Sequence, residues 1–283
     1  DIAFTLAPFI NSAARLDRIE LAITLLNCAD GDCCLEIANL IKDLNETRKD
    51  IMTEHIRSLQ PQIDPKNSVH VLIGGNSIPK GFAGVVAAQI QEQTSRAVIY
   101  LNKSEEILSG SYRASFNMKA LLEKMPNILH VGGHFQAGGC EFLSKDFQKV
   151  QHFLNKNVEL VEPKHVYDLE LEADVFFEHF LDIIRFSRIC GNHFEEPVFL
   201  FRNVYVCSEW LMGKNKNHLK LRCKLDRSQK SIDVLKFKIS KKYSERWIGR
   251  YIDILGSASL NEWKGRYTKQ IFMVDYRYSE PSI

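Results

Sequence analysis

Helices at the front, an α/β domain in the middle and an all-β barrel at the end make up the fold class the sequence predicts. Three observations predict it. Strand-like and helix-like segments alternate between about 66 and 160, which is the pattern of a small α/β domain. From 199 onward, five segments alternate apolar and polar residues and are separated by polar turns. Charge divides along the same line: residues 1–198 carry 19 Lys+Arg against 27 Asp+Glu, and residues 199–283 carry 18 against 8. The modest net charge of +2 therefore joins an acidic part to a strongly basic one, and a basic module is built to meet a polyanion.

The 283 residues, 45% apolar and 25% charged, exclude a disordered tail, a fibre and a low-complexity array. No apolar run approaches the ~18–20 residues of a bilayer span. The chain starts at Asp1 with no basic-then-apolar leader, so we expect a piece whose true N-terminus lies upstream. Seven cysteines, an odd number with no Cys-x-x-Cys pair, point to reduced thiols in a cytoplasmic protein. Cys190 and His193 have a metal-like spacing but no second pair, so no zinc site is expected there.

Taken in order, Leu16, Ile19, Ala22, Ile23 and Leu26 predict a helix over 12–28, interrupted by Asp30-Gly31-Asp32. Leu35, Ala38, Ile41, Leu44, Ile51, Ile56 and Leu59 continue a stripe down a second, long helix that Pro61 stops. Val69–Ile73 and Ala97–Leu101 read as buried strands around a helix at Gly84–Gln93. Ser109–Ser115 reads as a polar loop or strand, Met118–Met125 as a helix, Gly132-Gly133-His134 as a turn, and Asp146–Asn157 as a helix. A strand at Val166–Leu171 and a helix at Asp174–Arg188 form a connector. The predicted barrel strands are Phe199–Val206, Leu219–Leu225, Ile232–Ile239, Tyr251–Leu255 and Lys269–Val274, and five strands in so short a stretch make an OB-fold the natural candidate. The expected divisions are a helical segment at 1–62, the α/β domain at 63–160, a connector at 161–198 and the barrel at 199–283.

Two segments carry chemistry. Gly132-Gly133-His134-Phe135-Gln136-Ala137-Gly138-Gly139 combines four glycines with one imidazole, a composition that brings backbone N–H groups close to an anion. Upstream, Ser109-Gly110-Ser111-Tyr112-Arg113-Ala114-Ser115 offers hydroxyls and a guanidinium, which grips phosphate bidentately. By residue type alone, phosphate binding and a loop that merely turns both remain open.

These segments resemble the DHH-associated domain of the DHH phosphoesterases: Gly-Gly-His-x-x-Ala-Gly preceded by Ser-Gly-Ser-x-Arg-x-Ser. Further stretches are similar to the RecJ single-strand-specific exonucleases. They are Ala7-Pro8-Phe9-Ile10-Asn11-Ser12-Ala13-Ala14-Arg15, Leu44-Asn45-Glu46-Thr47-Arg48-Lys49, Gly81-Phe82-Ala83-Gly84-Val85-Val86-Ala87-Ala88, Glu196-Pro197-Val198-Phe199 and Asn261-Glu262-Trp263-Lys264-Gly265-Arg266. The resemblance covers essentially the whole chain. Four positions depart from the family's pattern: Phe9 and Gln89 stand in place of arginines, Tyr112 in place of a small residue and Ala14 in place of glycine.

The resemblance implies an α/β DHH-associated domain, an OB-fold barrel and N-terminal helices. It implies part of a metal-dependent 5′-to-3′ single-stranded DNA exonuclease of recombination and repair. The alternative is a non-catalytic nucleic-acid-binding scaffold of the same fold. Mn²⁺ or Mg²⁺ is expected in an N-terminal DHH domain, because this chain has no Asp-His-His triplet, and no catalytic or metal residues are expected here. Arg113, His134, Gly132, Gly133, Ser111 and Ser115 are implied to hold a phosphate near the 5′ end. Asn11 and Arg15 either reach the same place or serve as a helix cap and a surface ion-pair partner. In the barrel, Arg202, Lys220, Arg222, Lys236, Lys238, Trp263, Lys264 and Arg266 are the candidate contacts to the strand, with Trp263 as stacking platform or as packing. Single-stranded DNA is the expected partner, with a single-strand-binding protein or a helicase as further candidates and no membrane.

Overall fold

The computed structural model describes residues 2, 6–75, 78–160, 166–191, 194–213, 216–225, 230–237, 239 and 246–279. It divides into two compact units, 1–163 and 164–283.

The first unit opens with three helices: α1 (Ala7–Arg15), α2 (Ile19–Asn27) and α3 (Gly31–Leu59). The single helix expected over 12–28 is therefore two. Arg18 N–H returns to the Ala13 carbonyl and Asp17 takes φ +55°, a left-handed C-terminal stop that usually announces itself as glycine. The buried face of α3 is Ile37, Ile41, Asn45, Met52, His55, Ile56 and Leu59, whereas Leu35 is 63% exposed. Of the expected stripe, Ile41, Ile56 and Leu59 are buried and Leu44 and Ile51 half-buried, Leu35 and Ala38 face solvent, and the polar Asn45 and His55 join the buried face unannounced.

A five-stranded sheet follows in the order β1 (Val69–Gly74), β2 (Ala97–Ser104), β3 (Ile107–Arg113), β5 (Ala137–Leu143), β4 (Ile128–Gly133). Only β1 and β2 run parallel, joined through α4 (Ala83–Thr94). Side chains alternate between two cores. Val69, Val71, Ile99 and Leu101 pack against α5 (Met118–Leu122) and α6 (Phe147–Asn157). Leu72, Val98 and Tyr100 pack against α3 and α4. Gly132 and Gly133 belong to β4, paired with Gly139 and Gly138, so the predicted turn is the end of a hairpin.

The second unit starts with β6, only Leu169–Glu170, then α7 (Ala173–Glu178) and α8 (Phe180–Ser187), a helix broken at His179. Five strands then close a barrel: β7 (Phe199–Met212), β8 (His218–Lys224), β9 (Ser231–Lys236), β10 (Tyr251–Trp263) and β11 (Arg266–Tyr278). Their order is β7-β8-β9-β11-β10, with β10 returning to β7 and β9 parallel to β11. That is the OB-fold arrangement anticipated from the strand count. Strands β10 and β11 are longer than expected. The expected strand stops at Leu255, but a register shift at Leu255/Gly256 carries β10 on through a bulge to Trp263. Phe176 and Phe180 join Phe201, Val234 and Ile271 in the barrel core.

Candidate functional sites: an arginine pocket and a barrel face

In the first unit, α1, α3, α4 and β3 bring three arginines into one electrostatic neighbourhood. Arg15, at the end of α1, donates to the Gly81 carbonyl just ahead of α4. Arg48 of α3 donates to Asn45 Oδ1 at 3.1 Å, and Asn45 is itself held by the Ser12 hydroxyl at 2.9 Å. Arg113, the last residue of β3, donates to the Tyr112 carbonyl at 2.7 Å. All three acceptors are neutral. Burial, with the Arg15 charge adding to it, pushes the Arg113 guanidinium below its usual range, and the same two causes act in that order on Arg48. Arg48 Nε is buried and has no hydrogen-bond partner among the described residues.

Helix α4 closes the pocket. It follows directly on a 3₁₀ turn at Lys80–Phe82, whose Phe82 N–H is bonded to the Pro79 carbonyl at 3.0 Å; no side chain caps this start, where the positive end of the helix dipole favours an anion. A methyl group on Gly84 would lie 2.7 Å from Arg113 Nη2, the movable end of that side chain, and 3.7 Å from Ser111 Oγ, an ordinary contact, so both side chains stand close to the start of the helix. Beside them lies an open cleft of ≈ 260 Å³ lined by Ser109, Ser111, Asn102, His130 and Glu141.

The other candidates take different places. His134 sits at the exposed hairpin turn; its N–H is spent on the Ala137 carbonyl at 2.8 Å and its own carbonyl accepts from Tyr112 Oη at 2.7 Å. Only its imidazole remains to meet a ligand. Gly132 and Gly133 are ladder residues, and Gly133 has φ +104°. Ser115 is exposed just beyond β3, its carbonyl accepting from Gln136. Asn11 is exposed in the middle of α1, away from any N-cap position, and Arg15 bonds a carbonyl where an ion pair was the alternative. Sequence reasoning missed Arg48, Gly84 and His130 as site residues. The signal for Arg48 was Asn45 and Arg48 falling within the apolar stripe of α3.

Of the barrel's candidates, Lys220, Arg222 and Lys236 lie on β8 and β9, Arg202 on β7, and Trp263, Lys264 and Arg266 at the β10–β11 turn. Lys220 and Arg222 both reach Asp233 across the ladder, at 2.9 and 2.7 Å, so two cations share one carboxylate. Burial alone would raise the Asp233 carboxyl, but the hydrogen bonds and charges of Arg222 and Lys220 outweigh it and hold the group below the usual carboxylate range. Arg202 is paired with Glu170 at 2.7 Å and with Asp253 at 3.5 Å. Lys236 donates to the Val274 carbonyl, and Lys238 lies outside the described residues. Trp263, Lys264 and Arg266 stand exposed at the β10–β11 turn, where Lys264 and Gly265 both have positive φ. Trp263 is 69% exposed, which removes the packing alternative. Beside Lys220, the row His218–Phe237–Phe272 was also missed; its rings meet edge to face at 5.2 and 5.5 Å, and Phe237 is 49% exposed.

Asp233→Asn is expected to lower the barrel's stability at pH 7 by about 1–3 kcal/mol, less than for a fully buried pair because both cations remain partly exposed. Since the folded carboxyl is depressed, this contribution is present above the unfolded value of ~3.9 and lost as pH falls through the folded one. The gap between urea melts of the two proteins should therefore begin to narrow below about pH 4 and close only below the depressed folded value; a gap that does not narrow at all as pH falls through this range would remove the ion pairs as its cause.

Comparison with known proteins decides the relationship. A model of the RecJ OB domain matches residues 167–275. The RecJ single-stranded-DNA-specific exonuclease of Haemophilus influenzae is 27% identical over 98% of this chain and 51% of its own length. That of Bacillus subtilis is 28% identical over 99% of this chain and 37% of its own length. The chain is a homologue of the RecJ exonucleases. The crystal structure of Thermus thermophilus RecJ with Mg²⁺ superposes over 99% of this chain and 44% of its own, with a TM-score of 0.75 at 24% identity, and so shares the RecJ fold. A second crystal structure of that protein contains Mn²⁺. The chain thus spans about half or less of the length of these relatives. Among the described residues, no group of three or more His, Cys, Asp or Glu side chains is placed to hold a metal ion, so the residues present do not fit the metals of the relatives. No helix among the described residues is long and apolar enough to cross a membrane.

Proposed function

We propose that this chain forms the substrate-holding part of a metal-dependent 5′-to-3′ single-stranded DNA exonuclease acting in recombination and repair. The observation that carries the reading is that Arg15 and Arg113 both reach the start of α4, at Gly81 and Gly84, with Arg48 in the electrostatic range of Arg15 and no carboxylate among the hydrogen-bond acceptors of the three in the described residues. Arg48 and Arg113 are both desolvated and both repelled by Arg15, and a phosphate beside them relieves that repulsion. Ser111 adds a hydroxyl donor at the pocket, and His134 offers its imidazole to the strand from the hairpin turn. Arg113 gives the fork geometry that a phosphate at the 5′ end requires. The barrel guides the trailing nucleotides, with Trp263 and Phe237 as stacking surfaces and Lys264, Arg266, Lys220 and Arg222 against the backbone. Metals and the attacking water belong to a part of the enzyme outside this sequence, so this chain alone binds without hydrolysing.

The test is a salt titration of binding to a labelled single strand in the presence of Mn²⁺. The slope of log K against log salt should be about −0.7 for each phosphate neutralised, roughly −2 to −4 for three to five contacts, with the strand intact afterwards. A flat response would contradict the electrostatic reading, and shortened products would contradict the division of labour.

A further inference from the structure

The corner between α2 and α3 gathers three of the seven cysteines, and nothing in the nucleic-acid reading uses them. Cys28 is the first residue beyond α2, and Cys33 and Cys34 lie in the first turn of α3. The corner is fixed: Asp30 Oδ1 accepts from Asp32 N–H at 2.8 Å and Cys33 N–H at 3.1 Å. Cys34 Sγ donates to the Cys28 carbonyl at 3.4 Å, and Cys28 Sγ donates to the Asp30 carbonyl at 3.5 Å, so the corner folds the three thiols together. All three are partly exposed, whereas Cys140 and Cys223 are buried.

We propose that this corner is an oxidation site for small peroxides, with Cys28 as the attacking thiol and Cys33 as the thiol that resolves it into an intramolecular disulfide. The cluster splits its own acidities in the sense this requires. The Cys33 hydrogen bond, first, holds the Cys28 thiol below its usual range, while the bond to Cys28 and burial push Cys33 up to about 11. Burial, first, also raises Cys34. One sulfur therefore ionises ahead of its two neighbours, at the N-terminal end of a 29-residue helix whose dipole favours a thiolate. The chemistry balances. Cys28 thiolate attacks one peroxide oxygen, the S–O bond forms as O–O breaks, and the departing hydroxide takes a proton as water. Cys33 sulfur then attacks Cys28 sulfur, S–S forms, S–O breaks and a second water leaves. Two thiols lose two electrons and hydrogen peroxide gains them.

The experiment treats the chain with limiting hydrogen peroxide, quenches with iodoacetamide and maps the peptides by mass. The expected product is the segment spanning 28–34, two hydrogens lighter and internally linked, before Cys190 or Cys207 changes. Cys28→Ser removes that product. The double variant Cys33→Ser, Cys34→Ser leaves Cys28 as a sulfenic acid that dimedone captures, which keeps the proposal testable if one variant folds poorly. First oxidation at Cys190 or Cys207, or failure of dimedone to label Cys28 in the folded double variant, would overturn it.

Discussion

Arg113→Ala is expected to weaken binding of a 5′-phosphorylated single strand by about 2–3 kcal/mol, roughly 30- to 150-fold, with the fold retained. Arg113 ends β3 between Val98 and Ala137, half-buried and facing Gly84 at the start of α4. It is held in place by backbone, and its charge is repelled by Arg15. Removing it relieves that repulsion, so the variant should be no less stable than the parent, and the loss should appear in binding alone. Arg113→Lys is a sharper version: it keeps the charge but presents a point instead of a planar fork, and should recover less than half of the lost free energy. Fluorescence anisotropy on labelled strands reads both variants. Full recovery by lysine would mean that charge alone, and not bidentate geometry, holds the phosphate.

Gly138→Ala is expected to destabilise the first unit by about 3 kcal/mol or more, at the upper end of overpacking costs. The added methyl would lie 2.1 Å from the Gly132 carbonyl oxygen and 2.4 Å from Tyr112 Oη. The first is ladder backbone and cannot step aside without opening the β4–β5 pair. For a unit of this size the loss corresponds to a drop of roughly 6–12 °C in melting temperature. The barrel should melt as before. Adding Tyr112→Phe removes only the hydroxyl, leaving the ring Cζ at 2.7 Å and the Gly132 carbonyl at 2.1 Å from the methyl, and should restore little of the stability. An unchanged first transition in the alanine variant would show that the hairpin yields more readily than its register implies.

The two variants separate what the sequence disclosed from what it concealed. The alternation of strands and helices was legible from 69 to 157 because buried strands such as Ala97–Leu101 are short apolar runs with turn residues around them. The barrel was legible because its strands alternate, as in His218–Lys224, where every second residue is buried. The break at Asp17 was not, since a left-handed aspartate carries none of the signal a glycine would. The glycines of the Gly132–Gly139 segment were visible but their reason was not: Gly138 is required by close backbone and Tyr112 approach, not by an anion. Tyr112, a departure from the family's pattern, is wholly buried and ties β3 to the hairpin carbonyl of His134. In the pocket, Arg113 and Ser111 were legible from residue type, while Gly84 depends on α4 being folded against β3 and Arg48 on how α3 packs beside α1, which no local pattern shows. The barrel's cations were counted correctly but not their carboxylates. Asp233 pairs with Lys220 and Arg222 from the neighbouring strand, Asp253 with Arg202, and pairing across a ladder is invisible until the register is known.

The measurement that tests the arginine pocket most directly compares one single strand carrying a 5′ phosphate with the same strand ending in a 5′ hydroxyl, both titrated against this chain at moderate salt. The pocket predicts tighter binding of the phosphorylated strand by about tenfold or more, a preference that Arg113→Ala abolishes. Equal affinity for the two ends would contradict it, because the three arginines would then be serving something other than the end of a DNA strand.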